Sequence, residues 1–214
     1  MGRGGLRPDC GGAIQAWPEN AGFWGRTFLD LTNDTQNLRN HLRHATAKAH
    51  DALDRSMADF DLSDRRSYAR FLTVQLAARA PIEAWCAAHV PEEFRPPAQA
   101  PLIRADLADL GISAEREAVA PARELTEPLG VAWTLGGSSL GNRAMLAHLR
   151  KRTGADWPTA FLADPRMAQF WSALRPRIEQ PTDSETASRA AASALAVFAR
   201  FEAALADHGE REAA

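Results

Sequence analysis

Cysteine is scarce in this chain of 214 residues, where Cys10 and Cys86 are the two present. They form no CxxC pair and no Cys/His cluster. That excludes a disulfide framework and a structural zinc site, and it fits a reducing compartment, the cytoplasm. Charge of neither sign prevails, since 25 Lys and Arg face 27 Asp and Glu. A net charge of −2 leaves no electrostatic footprint for nucleic acid. No apolar run approaches the roughly 18 residues of a transmembrane helix, so no membrane partner is expected. β-branched residues are sparse and few stretches alternate with period two, so strands are not expected either.

What remains is helical periodicity. The length suits one domain with a proper core. Residues 1–34 stand apart, because half of the 14 glycines fall between Gly2 and Gly25 with little apolar periodicity. Such a segment buries too little to offset its ordering entropy, and a disordered extension is expected there. No apolar core of a signal peptide is visible in it. Residues 35–208 read as the helical domain, and 209–214 as a polar tail.

The spacing predicts a first helix from about Asp34 to Met57, capped by Thr32 or Asn33. Ser63 reads as the cap of a second, Asp64 to His89, which Pro81 would kink or split. A short helix over Leu102–Leu110 would end at Gly111, and a charged one would span Ser113–Ala118. An apolar helix follows from Val131 to Arg152, closed by Gly154. Pro165 would open one running to Ile178, with Pro176 as an early stop. Ser184 would cap the last, Glu185–Asp207. The class expected is all-α, a single-domain bundle of about seven or eight helices.

Two of these helices carry chemistry. In the first, Leu38, Leu42, Ala45, Ala49 and Leu53 form an apolar stripe at 3–4 spacing. His50 lies beside it, with Arg43 about 10 Å earlier on the same face and Asp54 one turn later. A histidine that binds a metal needs a neutral ring with one nitrogen free. An acceptor on the other N–H fixes the tautomer and raises basicity, and Asp54 is placed to be that acceptor. The alternative is an ordinary helix histidine with an accidental neighbour, which is the commoner origin of such pairs. The segment alone leaves both standing.

The second is the helix after Gly130, containing Gly136, Gly137 and Gly141. Glycine inside a helix weakens it by roughly 1 kcal/mol relative to alanine, so something should lie close to this backbone. Gly137 and Gly141 have the small-xxx-small spacing of close helix packing. They equally suit a flat ligand across the glycine face, with a kink that admits it.

Together the segments resemble a known family. Leu42, Arg43, Thr46, His50, Leu53 and Asp54 make LRxxTxxxHxxLD, and Leu135, Gly137, Ser138, Leu140, Gly141 and Arg143 make LxGSxLGxR. Both patterns are similar to those of the bacterial biliverdin-producing haem oxygenases. A weaker likeness extends over about Leu38–Leu205, including Phe198 and Phe201 in the terminal helix. The resemblance implies that His50 is the iron ligand and that Gly137 and Gly141 lie on the distal side of haem. Arg43 falls where the family places a basic residue for a propionate, and Asp54 where an acidic one supports the proximal imidazole.

It also implies that haem is both cofactor and substrate, opened with O2 to biliverdin, CO and ferrous iron. Gly137, Ser138 and Gly141, with ordered water, would hold oxygen without a strong acid–base pair. Electrons would come from an external reductase or ferredoxin, since no flavin or dinucleotide fingerprint is present. A phytochrome is one acceptor for the biliverdin. The chain departs from the family at three places: Gly136 where many members have glutamate, Asn142 where glycine is common, and Trp133 where tyrosine is frequent.

Other readings keep the architecture and change the chemistry. A carrier or sensor could bind haem without degrading it. A di-iron oxidase needs Glu-x-x-His pairs on facing helices, and the chain has none. A thiaminase-like hydrolase needs a nucleophilic cysteine, and Cys86 has no evident histidine. A plain interaction bundle would leave His50 and the glycines without a purpose.

Overall fold

The computed structural model describes residues 37–113, 121–153 and 157–213. Among the described residues there are six helices of ten residues or more and one short one: α1 (Leu38–Met57), α2 (Arg65–His89), α3 (Ala100–Asp109), α4 (Pro128–Thr153), α5 (Ala160–Ala163), α6 (Arg166–Ile178) and α7 (Ser184–Ala213). Among the described residues there is no strand, only an isolated bridge between Asn37 and Pro181. The all-α class is as expected.

Local chemistry sets the helix ends. Asn37 caps α1, its side chain accepting from the Asn40 N–H at 2.9 Å. The start expected at Asp34 and the caps at Thr32 and Asn33 fall outside the described residues. At α2 the cap is Asp64 rather than Ser63: its carboxylate takes the Ser67 N–H at 2.8 Å, while the Ser63 hydroxyl donates to Asp61 at 2.6 Å. The same holds at α7, where Asp183 rather than Ser184 accepts from the Thr186 N–H at 2.8 Å. A carboxylate suits these ends better than a hydroxyl because it also opposes the positive helix pole.

Gly111 adopts φ +78° and ends α3 by donating to Ala108, the left-handed stop that glycine allows without strain. Pro81 neither splits nor ends α2, which runs through it. Pro176 likewise sits inside α6. The expected polar tail is part of α7, which continues past Asp207 to Ala213. The helix expected over Ser113–Ala118 and the stop at Gly154 fall outside the described residues. The 3-10 turn Glu92–Phe94 and α5 are not among the expected elements.

The helices assemble around α7, against which α1, α2 and α4 all pack. One core gathers α2, α3, α5 and parts of α4 and α7 around Phe71, Leu72, Ile103 and Phe161. A second joins Leu38 and Leu42 of α1, Trp133 of α4, Trp171 of α6 and Phe198 of α7. α1 and α4 thus share a core near their first turns and otherwise follow α7 rather than each other.

α4 and α7 approach each other closely at Gly130. A Cβ on Gly130 would lie 2.0 Å from the Ala190 carbonyl oxygen, and the alanines of α7 allow that contact. Backbone on both sides leaves no room to adjust. Gly130→Ala should therefore cost about 3 kcal/mol, a severe case of overpacking that outweighs the helix propensity gained. Chemical denaturation checks this, and an unchanged midpoint would contradict the close approach.

Candidate functional site

His50 sits half-exposed on α1, with its Nδ1 3.1 Å from Asp54 Oδ2. Its ring meets that of Phe198, on α7, at 5.9 Å and 70°. The hydrogen bond to Asp54 raises the imidazole pKa above its ordinary value. Burial opposes this, and the charges of Asp54 and Asp51 add to it. When the ring is neutral and Nδ1–H donates to Asp54, the other nitrogen carries the lone pair that could ligate a metal.

The face that positions His50 differs from the expected stripe. Leu38, Leu42 and Thr46 are buried, whereas Ala45 is exposed. Thr46 is accepted there because its hydroxyl donates to the Leu42 carbonyl at 2.8 Å, so no polar group is left unsatisfied. Arg43 is exposed on α1.

The glycines of α4 divide into two groups. Gly136 faces α6, and a Cβ there would lie 3.0 Å from the Trp171 ring and 3.4 Å from that of Phe170. A side chain there would press on these rings, which would have to give way by a few tenths of an ångström. A Cβ on Gly137 would meet nothing within 4 Å, and one on Gly141 only the end of Met145 at 3.7 Å. Neither Gly137 nor Gly141 is pressed against another helix, so close helix packing does not account for them. Asn142 is buried and therefore lies on the packed side of α4. The helix is continuous from Pro128 to Thr153.

Ser138 leads to a residue that the sequence reading missed. Its hydroxyl donates to the Leu135 carbonyl at 2.7 Å and accepts from Arg79 Nη2 at 3.0 Å. Arg79, on α2, is 2% exposed. Its Nε donates to Gln75 at 3.1 Å, and its guanidinium lies over the rings of Phe161 at 5.2 Å and Phe201 at 5.6 Å. Its Nη1 is buried with no hydrogen-bond partner. Burial lowers the Arg79 pKa to about 10, against the opposing pull of Glu83, so it is still a cation at neutral pH. The available signal was an arginine in the buried helical phase of α2, where charged residues are rare.

Two other buried atoms nearby in sequence also lack partners, Ser139 Oγ and Trp133 Nε1. Other reactive groups are disarmed by their settings. Burial, with the Glu83 charge, pushes the Cys86 thiol up to about 12, which removes the nucleophile of a thiaminase-like reading. Among the described residues no three His, Cys, Asp or Glu side chains cluster to hold a metal. No described helix is long and apolar enough to cross a membrane.

A cleft of about 560 Å³ lies between α2, α3 and α7, beside Arg65, Arg66 and Arg70. Another of about 360 Å³ lies near Phe60 and Glu202. Neither is lined by His50 or by the α4 glycines.

No family model matches the chain, and no curated protein matches its sequence. A likeness does exist to a solved structure, the NO- and CO-bound haem oxygenase from Neisseria meningitidis. The TM-score is 0.65 at 18% identity, covering 80% of this chain and 92% of that one. This chain has a haem oxygenase-like, all-helical fold.

Proposed function

We propose that the protein binds haem through His50 and opens it oxidatively. The observation that carries this reading is the pairing of His50 with Asp54 on a helix that packs on α7 beside α4, whose Gly137 faces open space. The residues present suit the group. One imidazole nitrogen is held by a carboxylate, leaving the other to meet iron. The open glycine side gives a flat ring room to approach backbone. The unpartnered Arg79 Nη1 offers a donor to water or to a small ligand.

When bound, haem would supply the iron at which oxygen is activated, and it would itself be the substrate. The chain's own part is to hold and shield. Phe198 packs against the His50 ring and limits its rotation. Gly137, Ser138 and Gly141 themselves bring no histidine or carboxylate that would drive a different oxidation. Arg43, exposed on α1, would meet a propionate. An external reductase or ferredoxin would deliver electrons, and biliverdin, CO and ferrous iron would leave; a phytochrome is a fitting acceptor for the biliverdin.

Purified protein given haem should develop the absorption of a histidine-ligated complex. With a reductant and oxygen, that Soret band should fade as biliverdin appears. A stable Soret band under the same conditions would favour a haem carrier or sensor, and no haem uptake would reject the reading.

A further inference from the structure

We infer that Arg79 is a positioning residue that makes the α4 side of the site selective for anionic ligands. The inference rests on the haem-binding reading and extends it to the charge of what binds opposite His50. A buried guanidinium with an unpaired N–H forgoes hydration for no structural return, since an unsatisfied buried donor costs free energy. Arg79 has that condition at Nη1, while Nε and Nη2 are anchored by Gln75 and Ser138.

The anchoring fixes the direction of the fork. Gln75 lies one turn earlier on α2 and holds Nε, and the rings of Phe161 and Phe201 lie against the planar group. Ser138 ties Nη2 to α4 immediately beside Gly137, the residue whose Cβ position faces open space. Ser138 cannot neutralise the charge. Its hydroxyl proton is already given to the Leu135 carbonyl, so toward Arg79 it acts as a neutral acceptor.

Glu83 is a carboxylate whose charge bears on Arg79, raising its pKa against burial. It is itself occupied, accepting from the Gln99 and Ala100 N–H groups at 2.8 and 3.0 Å. The hydrogen-bond partners of Arg79, Gln75 and Ser138, are both neutral, so its charge, offset by Glu83 only through space, acts on the α4 side at short range and low dielectric. A guanidinium does not give up its proton at neutral pH, so Arg79 can attract and orient a ligand or water but not serve as the acid.

The test compares azide and fluoride, which are anions, with neutral imidazole, each titrated into the ferric haem complex. Arg79→Met keeps length and apolar contact but removes the charge. It should weaken azide and fluoride about tenfold and leave imidazole within about twofold, whereas a merely structural loss would move all three. Arg79→Lys should recover part of the anion affinity. Ser138→Ala keeps the cation and frees its anchor, and should weaken both anions about threefold. Unchanged anion affinity in either Arg79→Met or Ser138→Ala, or an equal loss for imidazole, would overturn the inference. Failure of the unaltered chain to take up haem would defeat the functional reading as well, and the two failures are thereby distinguished.

Discussion

His50→Ala is expected to abolish the histidine-ligated haem spectrum and to weaken haem binding by about 100-fold or more, since loss of a ligand should cost at least as much as loss of its supporting partner. The helix should survive the change. His50 is half-exposed, and its hydrogen bond is to a neighbour one turn away on the same helix, so little of the fold depends on it. Titration of haem into the variant, followed by optical spectroscopy, reads the first effect. Added imidazole should enter the space left beside Phe198 and restore part of the spectrum. Wild-type haem spectra in His50→Ala would place the ligand elsewhere.

The same residue sets a pH dependence whose sign follows from its raised pKa. The hydrogen bond to Asp54 holds the proton on the ring above the ordinary value of 6.5. As a stability effect, the pair contributes fully below that ordinary value and fades as pH rises through the higher, folded-state one. Ligation runs the opposite way, because only the neutral ring donates to iron. Haem affinity should therefore fall as pH drops through the raised value, starting at a higher pH than for an unpaired histidine. Titration of haem binding between pH 5 and 9 (a window of about two units either side of neutrality) shows whether affinity follows that curve.

Some of this was legible in the sequence because it depends on spacing along one helix. His50 and Asp54 are four residues apart, and helical geometry alone brings them within 3.1 Å. The 3–4 spacing of apolar residues likewise foretold an all-α fold. What spacing does not specify is the neighbour on each face. Gly136, Gly137 and Gly141 look alike in the chain, yet one is pressed on Trp171 and the others are not. Gly130, which reads only as the start of a helix, makes the closest backbone approach among them.

Arg79 shows the same limit from the other direction. Its partners Ser138, Phe161 and Phe201 are distant in sequence, so only the fold brings them together. At the helix ends the competition was between adjacent residues. Asp64 and Asp183 prevailed over Ser63 and Ser184, a choice of strength that a pattern based on residue class passes over.

Gly137 is where stability and function should part most clearly. Its added Cβ meets nothing within 4 Å, so Gly137→Ala should stabilise the folded chain by up to about 1 kcal/mol through helix propensity. A larger side chain would extend from that open position into the side on which, under the proposed function, a ligand opposite His50 would sit. Gly137→Phe should therefore leave thermal unfolding near that of the parent and permit haem uptake. It should lower the affinity of the reduced haem complex for CO about tenfold or more, equivalent to about 1.4 kcal/mol. A calorimetric scan and a CO titration of the same samples separate the two effects. If Gly137→Phe bound CO as the parent does, the open side of α4 would not be the ligand side. If Gly137→Ala instead lowered the unfolding temperature, as is expected for Gly130→Ala, the open space beside Gly137 would itself be in error, because the contrast between those two glycines is what distinguishes a helix shaped for a ligand from one shaped for its neighbours.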